Sequence, residues 1–423
     1  MSLKQRDSTY IWHPFDQMKG ANVLPIVRGE GCYLYDENGK KYLDGFSSWW
    51  VNAHGHANPY LAKKIHEQML QLEHVAFGGF THPQAVNLAE RIIELTPKNF
   101  KKVFFSDNGS TANEVALKMS IQYWNNIKKP KQRFIAFEGA YHGDTFGSMC
   151  LTARGGFNEP FEKFMFDVDF IPRPNGNNNK EVISKFKKLI QKDDVSAFIF
   201  EPIVQGASGM NIYNSEVLSE LVLIANKANV ITIADEVFTG FGRTGTWFAI
   251  DQLTSKPDII CLSKALTGGF LPLGLTVVSQ KIFDGFYSDE PKHTFLHGHS
   301  YTGSPLCCAA ANASLDLMSK DSFWKHIEAL SKRMSYNVRK IKQLNGVRNA
   351  RSIGLVGAVE IDSGGKSSYF NKSGKAIYNK LLEKGLILRP LGNVFGFVPP
   401  HCISEDELDW MFNQLKLVIE ESN

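Results

Sequence analysis

Five short runs whose interiors are apolar apart from a lone Ser or Thr in some recur through the middle of the chain, and they constrain the fold more than any other feature. They are "RFIAF" (133–137), "VSAFIF" (195–200), "VITIA" (230–234), "DIICL" (258–262) and "LGLTVV" (273–278). A sixth run, "VFFS" (103–106), precedes a helical pattern in which Ala112, Val115, Ala116, Met119 and Tyr123 share one face. A strand that is apolar on both sides must be covered on both sides. Such strands separated by helical segments predict an α/β fold with a largely parallel sheet between helical layers.

At 423 residues the chain has room for two domains. The strand-rich part, 59–310, reads as the large domain. Residues 311–423 change character: "FWKHIEALSKRMSYNVRKIKQL" is a long amphipathic helix, followed by short strands and a closing helix from Glu405. Together with residues 1–58, which hold a hairpin around Asn38-Gly39, they predict a smaller α+β domain. "NGNNNK" (175–180) reads as a surface turn.

Composition narrows the partners. The formal net charge is +4, and the densest basic stretch, "KKPKQR" (128–133), suits a helix end better than a phosphate backbone, so nucleic acid is not favoured. None of the six cysteines forms a CxxC pair. The start of the chain lacks a signal-peptide core, and no apolar run approaches the roughly 18 residues of a membrane span. A reduced cytoplasmic protein is the expectation. His54, His56, His142, His297 and His299 fit no metal-binding spacing, so they read as hydrogen-bonded loop residues and no metal is expected.

Each central strand ends at something polar. The endings are Ser106 with Gly109-Ser110-Thr111, then Tyr141-His142-Gly143, Glu201, Asp235-Glu236 and finally Lys264. Ligands of open α/β sheets bind outside the carboxyl ends of the strands, so these endings define a site. Taken singly, several have plain readings. "DNGST" is a good helix cap, Asp235 a good ion-pair partner, and Trp49 and Trp50 good core aromatics. Lys264 is harder to explain away. A lysine delivered by a buried strand and followed by Gly268-Gly269 has no structural task, whereas a desolvated lysine is a nucleophile able to capture an aldehyde. A helix start for a phosphate, an acid for a pyridinium nitrogen, an aromatic to stack on a ring and that lysine together describe pyridoxal 5′-phosphate. "GFGRTG" (240–245) matches a dinucleotide-binding pattern but does not open a helix directly after a strand, and reads as an ordered loop.

Over nearly its whole length the sequence resembles the class III aminotransferases of pyridoxal-phosphate fold type I. "ADEVFTGFGRTG" and "SKALTGG", with Asp235 and Lys264 at the family's spacing, carry the likeness. "WHPFDQM", "DGFSSWW", "HGHSYTGSP" and "LRPLG" resemble the branch of that family that aminates 7-keto-8-aminopelargonate in biotin biosynthesis. The resemblance implies that Lys264 carries the cofactor and Asp235 pairs with its ring nitrogen. Tyr141 and Val237 would flank the ring, while Gly109 and Ser110 would hold the phosphate. His299 and Ser300 would reach that phosphate from the other subunit of a homodimer. Trp49, Tyr141, Gly298 and Arg389 would line the substrate pocket, with Arg389 gripping a carboxylate. Two departures from better-known members stand out: Phe15 replaces a tyrosine, and His299-Ser300 replaces proline-threonine.

The family offers S-adenosylmethionine or lysine as amino donor. "HGHSYTG" looks more like the lysine users, and Phe15 removes a hydroxyl. The Trp49-Trp50 pair resembles the S-adenosylmethionine users, and a broad aromatic wall suits a sulfonium and an adenine. The pocket-lining pair decides the expectation: S-adenosylmethionine. The rivals are another ω-aminotransferase of the class and a non-catalytic sensor on the same fold; the intact Lys264 and Asp235 argue against the latter.

Overall fold

The computed structural model describes residues 1–364, 371 and 373–421. Its centre is a seven-stranded sheet. In spatial order the strands are Phe100–Ser106, Gly274–Ser279, Ile259–Leu262, Ile231–Asp235, Val195–Phe200, Arg133–Phe137 and Val168–Ile171. Only Gly274–Ser279 runs antiparallel to its neighbours; the other six strands point the same way. The expected largely parallel sheet is therefore present. Its inner strands are buried at every position except Arg133, which is why they read as nearly continuous apolar runs.

Helices cover both faces. Ala112, Val115, Ala116, Met119 and Tyr123 of the Gly109–Asn126 helix are all buried, packing with Ile233, Ile259 and Cys261. The opposite face packs Phe198, Phe200 and Ile260 against the Pro83–Leu95 and Ser215–Lys227 helices. The strand Val168–Ile171 was not legible as a run: it is a four-residue edge strand, partly exposed and interrupted by Asp169. "NGNNNK" is only partly a turn, because a helix begins inside it at Asn179.

A second core lies beside the first. The Asp321–Ile341 and Glu405–Glu420 helices bury Ile327, Leu330, Met334, Leu408 and Phe412 against the antiparallel strands Val347–Ile353, Val356–Ile361 and Val394–Phe397. Phe397 and Phe412 stack with centroids 3.9 Å apart. The hairpin of Tyr33–Asp36 and Lys41–Asp44 turns at Gly39, whose φ of +80° suits glycine, and the Asp36 carboxylate accepts from the turn amides of Asn38 and Lys40. Leu386–Ile387 then adds in parallel to Lys41–Asp44, joining the two ends of the chain.

Candidate active site

The carboxyl ends of the central strands open onto a cavity of about 460 Å³. At its floor Asp235, the last residue of its strand, is almost wholly buried. Its Oδ2 accepts from Asn113 Nδ2 at 2.8 Å and lies 2.7 Å from His142 Nδ1, while Oδ1 accepts from the Val237 amide at 3.1 Å. Strand alternation sends the neighbouring Glu236 to the other side, where it accepts from the Ile250 amide and Thr239 Oγ1. Two adjacent acids thus have separate tasks.

Glu201 forms one wall. It accepts from the amides of Tyr141 and Gly206, and burial pushes its carboxyl up to about 7. The Tyr141 hydroxyl donates to Asp144 at 2.9 Å, and burial holds this phenol protonated well beyond its usual range. On the far side Asn108 caps the Gly109–Asn126 helix through the Thr111 amide, as the cap reading expects. Gly109 and Ser110 stand in the first turn, where amides lack intrahelical acceptors. A Cβ on Gly109 would sit 2.5 Å from Val237 Cγ1; glycine here lets the helix start close on that side chain.

Lys264 follows its strand in a left-handed conformation, φ +49°. Its Nζ makes no hydrogen bond or ion pair with any described residue and lies 5.0 Å from the Trp50 ring centroid and 5.8 Å from that of Phe238. Burial lowers its pKa to about 8, against the opposing pull of Asp235 and Glu201. The paired glycines now have a reason. A Cβ on Gly268 would meet His54 at 2.8 Å, and one on Gly269 would meet the Val51 backbone at 2.9 Å.

The backbone pressed against those glycines is unusual. Ser47, Ser48, Trp49 and Trp50 all have positive φ (50°, 46°, 74° and 69°), a left-handed turn built without glycine. Such a turn costs ~1–2 kcal/mol per residue. It sends Trp50 inward, 4.6 Å from Phe238, and Trp49 to the cavity mouth, 5.3 Å from Phe15. The Arg389 guanidinium lies 4.7 Å from the Trp49 centroid and 3.9 Å from Asp16.

Of the residues singled out from sequence, Lys264, Asp235, Tyr141, Gly109, Ser110, Val237, Trp49, Phe15 and Arg389 all line this one cavity. Gly298, His299 and Ser300 do not; they lie in an outer segment of the chain where Gly298 and Ser300 are exposed. His142 stands among the strand endings that define the site, with no task beyond a loop hydrogen bond expected of it; it is buried on the Asp235 carboxylate. Asn113 was missed as well; its signal was an asparagine on the otherwise apolar face of a helix.

Residues 16–419 match the aminotransferase class-III family. The chain belongs to that family. Among its relatives is the adenosylmethionine-8-amino-7-oxononanoate aminotransferase of Synechococcus elongatus, 43% identical over 97% of this chain and 99% of that protein. The crystal structure of the enzyme of the same name from Methanocaldococcus jannaschii superposes with a TM-score of 0.95 at 36% identity, covering 99% of this chain and 98% of that one. The omega transaminase of Pseudomonas jessenii, solved in complex with PMP, gives 0.94 at 27% identity, covering 100% and 98%. The fold is accordingly that of the type I pyridoxal-phosphate enzymes, and the protein is a class-III aminotransferase working through pyridoxal 5′-phosphate. The cavity fits that cofactor on its own evidence. It offers an unpaired lysine of lowered pKa, a buried carboxylate, a helix start and a glycine cradle. Among the described residues no helix is long and apolar enough to cross a membrane.

Proposed function

We propose that this aminotransferase transfers an amino group to 7-keto-8-aminopelargonate, giving 7,8-diaminopelargonate for biotin synthesis, with S-adenosylmethionine as donor. The convergence of Lys264, Asp235, the tryptophan pair and Arg389 on one cavity carries the reading, and the names of the full-length relatives support its substrates. Bound there, the cofactor supplies an exchangeable amino-carrying carbon and a ring that takes up electron density from the reacting centre. The chain's own residues do the rest. Lys264 Nζ, its ammonium weakened by burial, would anchor the cofactor and, once displaced by the donor, would carry the proton from the donor carbon to the cofactor. Asp235, fixed by Asn113 and His142, would pair with the ring nitrogen and keep it protonated. Tyr141 and Val237 would flank the ring, and Gly109 and Ser110 would hold the phosphate. Arg389 grips a substrate carboxylate beside Trp49 and Phe15.

The reading includes a cytoplasmic homodimer in which Gly298, His299 and Ser300 complete the neighbouring cavity; their position outside their own chain's cavity favours it. The deciding experiment follows loss of the bound cofactor's visible absorbance as each donor is mixed with the enzyme. Rapid conversion with S-adenosylmethionine and formation of diaminopelargonate is expected. Conversion with lysine alone would replace the donor, and no amination of the keto acid with any donor would overturn the substrate.

A further inference from the structure

Two cysteines from opposite ends of the chain meet at the edge of the smaller core, and neither lines the active-site cavity. Cys32, buried, stands just before the Tyr33–Asp36 strand. Cys402 stands in the turn that leads into the Glu405–Glu420 helix. The two are 370 positions apart, yet their Sγ atoms lie 3.6 Å from each other. Both are free thiols, and Cys402 is the one exposed cysteine of the six.

The surrounding backbone holds the pair in this register. The Gly31 amide donates to the His56 carbonyl at 3.1 Å, the Gly31 carbonyl accepts from the His56 amide at 2.7 Å, and the Cys32 carbonyl accepts from the Asp44 amide at 2.8 Å. On the other side the His401 amide donates to the Ala53 carbonyl at 2.8 Å. Each cysteine thus directly follows a residue bonded to the same 53–56 loop. Gly55, inside that loop, has a φ of +84°, and a Cβ there would stand 2.9 Å from Cys402 Sγ and 3.0 Å from Gly31 Cα. Glycine at this point lets the two segments close on each other.

The sulfurs have unequal surroundings. The hydrogen bond between them lowers the Cys402 thiol below its ordinary pKa and raises that of Cys32, which burial raises further. Cys402 is both the reachable sulfur and the one readier to become a thiolate, the attacking form. Cys32 lies behind it, placed to resolve. A disulfide needs a separation of about 2.05 Å, and each sulfur swings on its own Cα–Cβ bond.

We propose that Cys32 and Cys402 are a redox-sensitive clamp that closes reversibly into a disulfide, with a low-molecular-weight disulfide as oxidant, and so ties the N-terminal hairpin to the entry of the last helix. The Cys402 thiolate attacks one sulfur of the oxidant and expels the other as a thiolate, leaving a mixed disulfide. Cys32 then attacks the Cys402 sulfur, and a second thiolate departs. The protons of the two cysteines end on the two departing thiolates, so the protein loses two electrons and the oxidant gains them. In reducing surroundings the pair stays open. Closed, it links residues 370 apart and removes freedom from the unfolded chain. The clamp does not depend on which amine the cavity accepts.

The test incubates the reduced holoenzyme with oxidised glutathione, alkylates the remaining thiols in denaturant and maps the peptides by mass spectrometry. A peptide joining Cys32 to Cys402 within one chain is expected, with the other four cysteines alkylated, and dithiothreitol should reverse it. The oxidised protein should melt ~5 °C higher than the reduced one. Cys32→Ser should stop at a glutathione adduct on Cys402, and Cys402→Ser should form neither that adduct nor the link. A wild-type protein that ends with glutathione on Cys402, or that links through another cysteine pair or between chains, would overturn the clamp. So would a Cys32–Cys402 link that leaves Tm unchanged. If the serine variants do not fold, the wild-type peptide map and melting curves decide alone.

Discussion

His142 Nδ1 lies 2.7 Å from Asp235 Oδ2, with both side chains buried beneath the cavity. With Asn113 on the same oxygen, the carboxylate is held in one orientation from below, which leaves its remaining lone pairs to face the cavity. Replacing His142 with phenylalanine keeps the volume and removes a donor to a buried charge. Such a bond is worth about 1.5–3 kcal/mol, so kcat should fall by about ten- to a hundredfold while the cofactor stays bound. Steady-state rates at matched cofactor content check this, and an unchanged kcat would remove His142 from the machinery.

Lys264→Ala should abolish multiple turnover and the lysine-dependent visible absorbance. The wild-type residue also predicts a pH dependence. Its folded pKa is lowered from 10.5 to about 8, so the amine becomes a nucleophile as pH rises through about 8. Capture of added pyridoxal phosphate by the cofactor-free protein should accelerate across that range; a rate flat until pH 10 would contradict the shift. Linkage has a definite sign here. The unfolded chain binds this proton more tightly, so the group's burden on stability is full below pH 8 and is relieved as pH approaches 10.5.

Asp235→Asn keeps the shape and the bond from the Val237 amide but removes the charge facing the ring nitrogen. Cofactor binding should persist and activity should fall well beyond tenfold, or ~1.4 kcal/mol of barrier. A smaller loss, measured as kcat on the saturated enzyme, would count against the assigned role.

Mixing inactive Lys264→Ala protein with inactive Ser300→Ala protein should restore part of the activity, because one of the two cavities in a hybrid dimer would then be intact. Native mass spectrometry can verify that subunits have exchanged. Exchange without recovered activity would place the whole site within one chain.

The strands that carry the site were legible because they are buried on both faces, leaving charged residues only at their ends. Lys264 and Asp235 stood out against that background. His142 did not, since a histidine in a loop looks the same whether it meets solvent or a carboxylate. The left-handed turn was also hidden: "FSSWW" has no glycine to announce positive φ, and the contacts that enforce it come from Arg243 and Val398, far away in sequence. The role of Gly268-Gly269 became visible only once Val51 and His54 were seen lying against them.

The order of strands in the central sheet also bears on how the chain acquires its structure during synthesis. Phe100–Ser106 lies at the sheet's edge and pairs only with Gly274–Ser279, with Ser106 opposite Gly274. As the chain leaves the ribosome, the strand leading into the Gly109–Ser110 helix start therefore has no hydrogen-bonding neighbour until the last strand of the sheet has emerged. Contacts so distant in sequence close slowly. The nascent protein must keep this strand unpaired until Gly274–Ser279 has been made, and this segment is where early self-association or chaperone capture would act.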